Sequence, residues 1–294
     1  MKKVICSFAN KQFSPALKRL EGQINKISFF DEYFLFNEHD LDNEFKNEYK
    51  DILIDGSRGY GYWVWKPYII LKTLEQLDEG DTLLYIDAGC HINYRGKKRF
   101  AKYYKLLNES RIGIIAFQLT LDQLAYSSIK KFITIKDYFL ERNWTKGDLL
   151  DYFNVRENSD ITDSPQILSG IILLRKSEET VSFISKWMKV YVDNFQLIND
   201  SLSNSNNLNG FLQNRHDQSV FSILCKLHHV DLLSTTEVEA EPAIINNHPI
   251  LAIRDIGGRL PYKSFQFYRL TRIIKSPFLL IQWLLNPQPK IKNR

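Results

Sequence analysis

Asp87 is the residue of this sequence best placed to do chemistry. It directly follows Thr82–Ile86, a β-prone apolar run of strand length that begins after the turn signal Gly80-Asp81. Such a run predicts a central strand buried on both faces. An acid at its carboxyl end leaves the core at the edge of the sheet, where it can bind a ribose hydroxyl or a divalent metal ion. The alternative is that Asp87 caps the turn that follows, and the sequence leaves both interpretations open.

A second acid, Asp217, lies next to the amide of Gln218. Both residues stand at the start of a predicted helix that runs to Leu227. A carboxylate and an amide can stabilise positive charge that develops on a substrate. The alternative for Asp217 is a purely structural cap of that helix.

The glycine- and aromatic-rich segment 58–67 offers rings and a cation. Trp63 and Trp65 can stack on a base or a sugar ring, although aromatics at alternate positions more often belong to a core. Lys66 precedes Pro67, which disfavours helix at the lysine and can direct its side chain towards a phosphate. A solvated lysine is an equally good interpretation.

Alternating strand and helix signals surround these residues. Strands are predicted near residues 4–8, 27–36, 83–86, 112–118 and 166–176, and helices near 14–26, 67–77, 97–108, 177–194 and 219–227. Ser177 is the expected N-cap of its helix. This alternation favours an α/β fold with a mixed or parallel central sheet and helices on both faces.

Two regions are less regular. Residues 119–165 lack sustained periodicity, which suits an insertion or the loop-rich wall of a binding site. The polar tract 199–209 is typical of a surface loop or a lid. Between them, the pair Ser169-Gly170 interrupts a predicted strand, and a glycine there can mark close approach by a ligand or another backbone.

The composition excludes several classes of protein. The chain has 294 residues, 44% hydrophobic and 25% charged, which is ordinary for one large globular domain with or without a tail. Cys6, Cys90 and Cys225 form no CxxC pair, which argues against a disulfide framework or a zinc site and predicts a reducing cytoplasm. The net charge of +5 is mild and does not predict nucleic-acid binding. No GxGxxG follows the first strand, which argues against a dehydrogenase.

The C-terminal segment 263–294 is basic and apolar. It combines Arg269, Arg272 and Lys275 with apolar residues around Trp283. The apolar run is shorter than the roughly 20 residues of a membrane span. The segment suits an amphipathic helix in the cytoplasmic membrane interface, and the alternative is a helix docked on the domain's own core.

Taken in order, four motifs resemble bacterial glycosyltransferases of the glycosyltransferase-A fold that build surface polysaccharides. They are the aromatic segment 59–67, the strand ending in Tyr85-Ile86-Asp87-Ala88-Gly89-Cys90, the pair Ser169-Gly170 and the helix start His216-Asp217-Gln218-Ser219. The similarity spans roughly residues 1–255. It implies a Rossmann-like α/β domain over residues 1–262, with a mixed central sheet flanked by helices, followed by the tail 263–294.

The resemblance also implies roles for individual residues. The nucleotide-sugar donor is expected to contact Phe8, Arg58, Tyr62, Trp65, Lys66, Asp87, Ala88, Gly89, Ser169 and Gly170. Asp217 and Gln218 are the expected catalytic residues beside the sugar.

A divalent metal, Mn²⁺ or Mg²⁺, is the cofactor that the resemblance implies. Asp87 matches the first acid of the family's DxD motif, but Gly89 stands where the second acid would be. His91, Asn93 and His248 are candidate substitutes, so the predicted metal ligands are Asp87, His91 and His248, with histidine better suited to manganese. Otherwise Lys66 and Arg58 take over part of the metal's charge.

The sequence therefore predicts a cytoplasmic glycosyltransferase, peripheral on the inner face of the membrane. It would move a hexose from a nucleoside-diphosphate sugar, most simply a UDP-sugar, to a lipopolysaccharide, a capsule or a lipid-linked acceptor. Two alternatives stay open: another nucleotide-dependent α/β enzyme, and a non-catalytic subunit that binds sugar nucleotides or glycans.

Overall fold

A computed structural model of the chain describes residues 1–119, 138–239 and 247–255. The strands are β1 (Lys3–Phe8), β2 (Glu32–Phe36), β3 (Thr82–Ile86), β4 (His91–Ile92), β5 (Ile114–Gln118), β6 (Ile167–Arg175), β7 (Asp231–Ser234) and β8 (Ile250–Leu251). Six of them form one sheet in the order β2-β1-β3-β6-β5-β7, and β4 pairs with β8. In the large sheet β6 runs antiparallel to β3 and β5, while the other neighbours are parallel, so the sheet is mixed.

Helices connect the strands and cover the sheet. They are α1 (Ser14–Ile27), α2 (Asn43–Glu48), α3 (Gly59–Tyr62), α4 (Trp65–Leu74), α5 (Lys97–Glu109), α6 (Glu141–Trp144), α7 (Gly147–Tyr152), α8 (Ser159–Thr162), α9 (Glu178–Asp193) and α10 (Asp217–Leu227). Short 3-10 turns lie at Lys11–Phe13, Tyr94–Gly96, Phe195–Leu197 and Thr235–Glu237.

Apolar side chains pack on both faces of the sheet. Leu83 and Tyr85 of β3 belong to a cluster with apolar residues of α4, α9 and α10, and Leu84 and Ile86 to a cluster with α1 and α5. This split follows from the alternation of side chains along a strand. Every residue of β3 is buried, as expected for a strand covered on both faces. The predicted α/β class, with a mixed sheet and helices on both faces, is confirmed.

Most predicted elements match the observed ones within a few residues, but two boundaries differ. The predicted strand 27–36 begins only at Glu32, because α1 continues to Ile27 and ends at Ser28 in the left-handed conformation. The helix expected from Pro67 begins at Trp65, so Lys66 is helical although a proline follows. Pro67 lies in the first turn, where its missing N–H removes no helical hydrogen bond. Ser177 caps α9 as predicted, with a reciprocal hydrogen bond to Thr180.

Some expectations fall outside the described residues. Segment 256–294 is not among them, so the predicted C-terminal helix and the predicted domain boundary at residue 262 stay predictions. Of the helices in the described ranges, none is long and apolar enough to cross a membrane. The three cysteines are buried and unpaired with one another.

Candidate functional site

The chain changes sides of the sheet at β1. From β1 it continues through α1 to β2 on one side, and it then returns through α4 to β3 on the other side. In open α/β sheets, ligands bind outside the carboxyl ends of the strands at such a switch point. Phe8 ends β1 and Asp87 follows β3, so both residues lie at this edge of the sheet.

Ionised groups from three separate segments meet at this edge. Lys66 Nζ in α4 lies 2.6 Å from Asp217 Oδ2 in α10 and 3.3 Å from Asp87 Oδ1. Ser169 of β6 donates its hydroxyl to the same Asp217 oxygen at 2.7 Å. The side chains of Lys66 and Asp217 are 2% and 6% exposed, whereas that of Asp87 is 42% exposed. A bound molecule can therefore reach Asp87, while Lys66 and Asp217 are covered by protein.

The neighbours of Lys66 keep its ammonium charged. Burial alone would lower the pKa of this group, but the charges of Asp217 and Asp87, with their hydrogen bonds, outweigh burial. The pKa of Lys66 is therefore raised above its ordinary value. Tyr85 donates its hydroxyl to Asp87 Oδ1 at 2.6 Å, and burial, together with the Asp87 charge, raises the pKa of Tyr85 well above its ordinary value. The site thus holds a buried cation between two carboxylates, with a phenol fixed as a donor.

For Asp217 and Asp87 the structure removes the backbone cap that the sequence left open as an alternative. α10 has no side-chain cap, since its N-cap is His216 and the Asp217 carboxylate binds Lys66 instead. The carboxylate of Asp87 contacts the side chains of Tyr85 and Lys66. Both acids therefore build the ionic cluster and do not act as backbone caps.

Gly170 allows this position of Asp87. A Cβ on Gly170 would lie 2.6 Å from Asp87 Oδ2, and the backbone N–H of Asp87 donates to the Gly170 carbonyl at 2.8 Å. The glycine that interrupts the predicted strand thus marks the close approach of a carboxylate.

The segment that leads into α4 has an unusual backbone. Five consecutive residues, Gly59–Trp63, have φ between 48° and 86°, so α3 is a left-handed turn. Its hydrogen bonds include Trp63 N–H to Gly59 O at 3.2 Å. The buried hydroxyl of Tyr191 donates to Tyr62 O at 2.8 Å and holds the turn from outside. The left-handed conformation costs about 1–2 kcal/mol for each residue with a Cβ, and strain of this kind concentrates at functional sites.

Arg58 and Tyr62, predicted to bind the donor, both contact Asp200. Arg58 Nη1 lies 3.1 and 3.2 Å from the two oxygens of Asp200, and the Tyr62 hydroxyl donates to Oδ2 at 3.0 Å. His216 Nε2 lies 3.6 Å from Asp200 Oδ1. The positive charge of Arg58 is therefore already paired within the protein.

Phe8 and Trp65, also predicted to contact the donor, stack on each other. Their ring centroids are 4.1 Å apart with an interplanar angle of 23°, and both side chains are buried. The indole N–H of Trp65 donates to Gly59 O at 3.0 Å. The structure thus places both rings in the apolar core under the switch point.

Gln218 points away from the ionic cluster. Its amide donates to Gln166 Oε1 at 2.8 Å, and Gln166 in turn donates to the buried carboxylate of Glu141 at 2.8 Å. The structure therefore brings Asp217, but not Gln218, into contact with Lys66.

Of the two histidines predicted as metal ligands, His91 is hydrogen-bonded to other side chains and His248 is buried. His91 Nε2 lies 2.9 Å from Asp255 Oδ2, and its Nδ1 lies 3.0 Å from Gln23 Nε2. His248 is buried with Nε2 3.8 Å from a carboxylate oxygen of Glu237. Among the residues that the structure describes, no group of three or more His, Cys, Asp or Glu side chains could hold a metal ion.

The position of the missing second acid is crowded by backbone. A Cβ on Gly89 would lie 3.2 Å from Arg254 Cα, and the Asp255 N–H donates to the Gly89 carbonyl at 3.0 Å. A divalent ion such as Mg²⁺ or Ca²⁺ needs several oxygen ligands. Within the described ranges Asp87 and Asp217 both contact Lys66, and no third His, Cys, Asp or Glu joins them in a group that could hold an ion. These residues therefore do not fit the metal that the resemblance implies.

The buried environment of His91 makes stability depend on pH. Burial, with the nearby charge of Arg19, lowers the pKa of His91 from 6.5 to about 4. Between these values the unfolded chain binds a proton that the folded protein excludes, so the free energy of unfolding decreases as pH falls from 6.5 to 4. The full shift corresponds to about 3 kcal/mol. We expect urea unfolding across this range to show a shallower pH slope for His91→Gln than for the wild type.

Exposed His39 provides the control for this experiment. His39→Gln removes a histidine from the surface and should leave the slope unchanged. Equal slopes for the wild type and His91→Gln would contradict the assignment to His91.

Comparison with known proteins gives no family for this chain. No family model matches it, and no curated protein matches its sequence. Among solved structures, it is similar to the galactosyltransferase LgtC in complex with donor and acceptor sugar analogs. The identity is 10%, the match covers 80% of this chain and 74% of that chain, and the TM-score is 0.40. It is also similar to mouse xyloside xylosyltransferase 1 in its apo form, with 7% identity, 81% and 87% coverage and a TM-score of 0.42.

A third similar structure is mannose-6-phosphate isomerase from Helicobacter pylori, with 14% identity, 64% and 75% coverage and a TM-score of 0.31. At these identities and TM-scores, the likenesses assign no activity to the chain.

Sequence reasoning missed Arg19, which holds the loop that carries Asp87. Arg19 Nη2 donates to the carbonyls of Ala88 at 2.6 Å and Cys90 at 2.9 Å, and its Nη1 lies 2.9 Å from Asp255 Oδ2. These bonds fix the backbone directly after Asp87. No local signal could have found this role, because an arginine in an amphipathic helix normally faces solvent.

The polar tract 199–209 is hydrogen-bonded to the residues around α7. Asp148 accepts the backbone N–H groups of Asn204 and Ser205, each at 2.8 Å. The Gly147 N–H donates to Asn207 Oδ1 at 2.7 Å. The tract predicted as a surface loop or a lid is therefore attached to the body of the protein, and its Asp200 is held near Arg58.

Proposed function

We propose that the chain is a glycosyltransferase that moves a hexose from a nucleoside-diphosphate sugar, most simply a UDP-sugar. The observation that supports this most directly is the meeting of Lys66, Asp87, Ser169 and Asp217 at one switch point of the sheet. These residues come from the motifs on which the resemblance depends, and Lys66 and Asp217 are 151 positions apart. The fold therefore gathers residues of four motifs at one point.

The charges in this site suit the breaking of an anomeric bond. Negative charge develops on the departing diphosphate and positive charge on the sugar, so the protein needs cations at one end and a carboxylate near the other. Asp87 is exposed and can accept hydrogen bonds from hydroxyls of the donor. Lys66 and Tyr85 orient that carboxylate. Asp217, the predicted stabiliser of positive charge on the sugar, is buried and paired with Lys66, so its contribution here is to hold Lys66 in place beside Asp87.

For the acceptor we propose a bacterial surface glycan or its lipid-linked precursor, reached at the inner face of the cytoplasmic membrane. The composition of segment 263–294 supports this, because its basic residues can contact anionic lipid headgroups while Trp283 and its apolar neighbours enter the interface.

Titration of the full-length protein with UDP and GDP tests the donor site. We expect Asp87→Asn to weaken nucleoside-diphosphate-sugar binding at least tenfold, since hydrogen bonds to a charged group contribute about 1.5–3 kcal/mol. Gly170→Ala should have a similar effect, because its methyl group displaces the Asp87 carboxylate without removing it. Asp78→Asn is the matched control, since Asp78 is exposed at the amino end of β3.

Two outcomes would change the assignment. Absence of binding to UDP, GDP and their sugars would overturn the proposed function. Binding without hydrolysis or transfer of any UDP-sugar would favour the non-catalytic binding subunit.

A further inference from the structure

The cations that the sequence offered for a diphosphate are both neutralised. Lys66 lies between Asp217 and Asp87, and Arg58 lies against Asp200. An ion pair within the protein must be broken or shared before such a group can bind an anion. The positive charge for a polyanionic ligand must therefore come from other residues.

Arg215 is a cation near this site with no acidic partner among the described residues. Within the described part of the chain, its guanidinium has no carboxylate in ion-pair contact and no hydrogen-bond acceptor, and its Nε is buried. The guanidinium instead stacks on Trp144, 3.9 Å from the ring centroid. Stacking orients its plane and leaves the two Nη groups as donors for a planar or tetrahedral anion.

Arg254 is a second such cation. Its Cα lies against Gly89, at the position where the second acid of a metal motif would stand. Its side chain is exposed, and it makes no ion pair with any residue in the described ranges. Its backbone is left-handed, with φ of 55°.

Both arginines belong to segments that adjoin the ionic cluster. Arg215 precedes Asp217 by two residues, and Arg254 contacts the loop that follows Asp87. Burial, with the charge of Arg254, lowers the pKa of Arg215. Repulsion between the two positive charges destabilises the protein in the absence of a ligand, and an anion with several oxygens relieves this cost.

We propose that Arg215 and Arg254 bind the diphosphate group of a substrate, in place of the divalent cation that the described residues do not fit. This inference rests on the proposed function for the identity of that substrate, which is then the donor nucleotide. Guanidinium groups suit this role because their paired N–H donors match phosphate oxygens and stay charged at every physiological pH.

Calorimetric titration with inorganic pyrophosphate in EDTA tests the arginine pair without assuming a nucleotide. We expect binding to the wild type, and at least tenfold weaker binding to Arg215→Gln and to Arg254→Gln. Arg215→Lys keeps the charge but loses the fork of donors, so its affinity should fall between those of the wild type and Arg215→Gln. Unchanged pyrophosphate affinity in both glutamine variants, or no binding to the wild type, would overturn the proposal.

Arg111→Gln is the matched control, with the same change in charge. Arg111 is exposed and precedes β5, which runs parallel to β3, so it lies at the opposite edge of the sheet from Asp87. Its variant should bind pyrophosphate as the wild type does. Thermal unfolding of each variant checks that the protein is folded.

Repeating the titrations with UDP and with geranyl diphosphate separates the possible sources of the diphosphate. Arginine-dependent preference for UDP assigns the group to the donor, and the reverse preference assigns it to a lipid-linked acceptor. Tight UDP binding that is unchanged in both glutamine variants would refute the proposal that the arginine pair binds the diphosphate. It would leave the glycosyltransferase proposal intact. Arginine-dependent pyrophosphate binding without affinity for any nucleoside diphosphate would support the pair and refute the proposed function.

Discussion

Replacing Lys66 with methionine is expected to destabilise the protein by about 3–5 kcal/mol, the cost of leaving a buried charge without its partner. Asp217 would remain covered by protein, with only the Ser169 hydroxyl bonded to its Oδ2. The loss of Lys66 would cost less free energy at Asp87, because its exposed carboxylate can be solvated by water. Urea denaturation at neutral pH measures the loss.

A surface lysine of the same helix gives the matched control. Lys72 in α4 pairs with Asp42, but their side chains are 28% and 62% exposed. Lys72→Met should therefore cost no more than about 1 kcal/mol. The double variant Lys66→Met/Asp217→Asn should recover part of the loss, because it removes the charge that Lys66→Met leaves unpaired. A loss below about 1 kcal/mol in Lys66→Met would contradict the buried ion pair.

Alanine at Gly59 is expected to cost about 1–3 kcal/mol of stability and to impair binding at the site. The position has φ of +59°, and a Cβ there would lie 2.4 Å from Cδ2 of the Trp63 ring. The ring stacks on His216, which precedes Asp217, so its displacement would reach the ionic cluster. Thermal unfolding and nucleotide titration of the same variant would measure both effects.

Gly22 shows what the same substitution does without these constraints. It lies inside α1 without a positive φ, and beyond its chain neighbours and the helix backbone no atom lies within 4 Å of a Cβ. Gly22→Ala should stabilise the protein by about 0.5–1 kcal/mol, since alanine favours helix. If Gly59→Ala behaved like Gly22→Ala, the left-handed turn at 59–63 would be ruled out.

Strand β3 and the position of Asp87 after it were predictable because they depend on residues that are neighbours in the sequence. A short apolar run with turn residues before it is enough to predict β3, and the acid that ends the run is then placed by strand geometry alone. The cap at Ser177 is equally local, since it depends on residues three positions apart. Predictions of this kind need no knowledge of the rest of the fold.

The partners of the site residues could not be predicted in this way. Lys66 is fixed by Asp217, 151 residues away, and the loop after Asp87 is fixed by Arg19 of α1. Such pairings depend on how helices pack across the sheet. From the sequence, Arg58 and Lys66 are therefore equal candidates as phosphate ligands. The fold pairs both with acids, whereas Arg215 has no acidic partner among the described residues.

The left-handed turn shows a further limit of local reasoning. Gly59 and Gly61 suggest an irregular backbone, but they do not predict that Tyr60, Tyr62 and Trp63 share their conformation. Bulky residues avoid positive φ unless tertiary contacts hold them there. The hydrogen bond from Tyr191 to Tyr62 O is one such contact, and it comes from α9.

The bonds that tie residues 199–209 to α7 have a consequence for amide exchange with solvent. The backbone N–H groups of Asn204 and Ser205 are both held by the carboxylate of Asp148. Deuterium can replace these protons only when those bonds open, so this asparagine- and serine-rich stretch should exchange more slowly than its composition suggests. Protonation of Asp148 in acid would weaken the acceptor they share and release the two amides together.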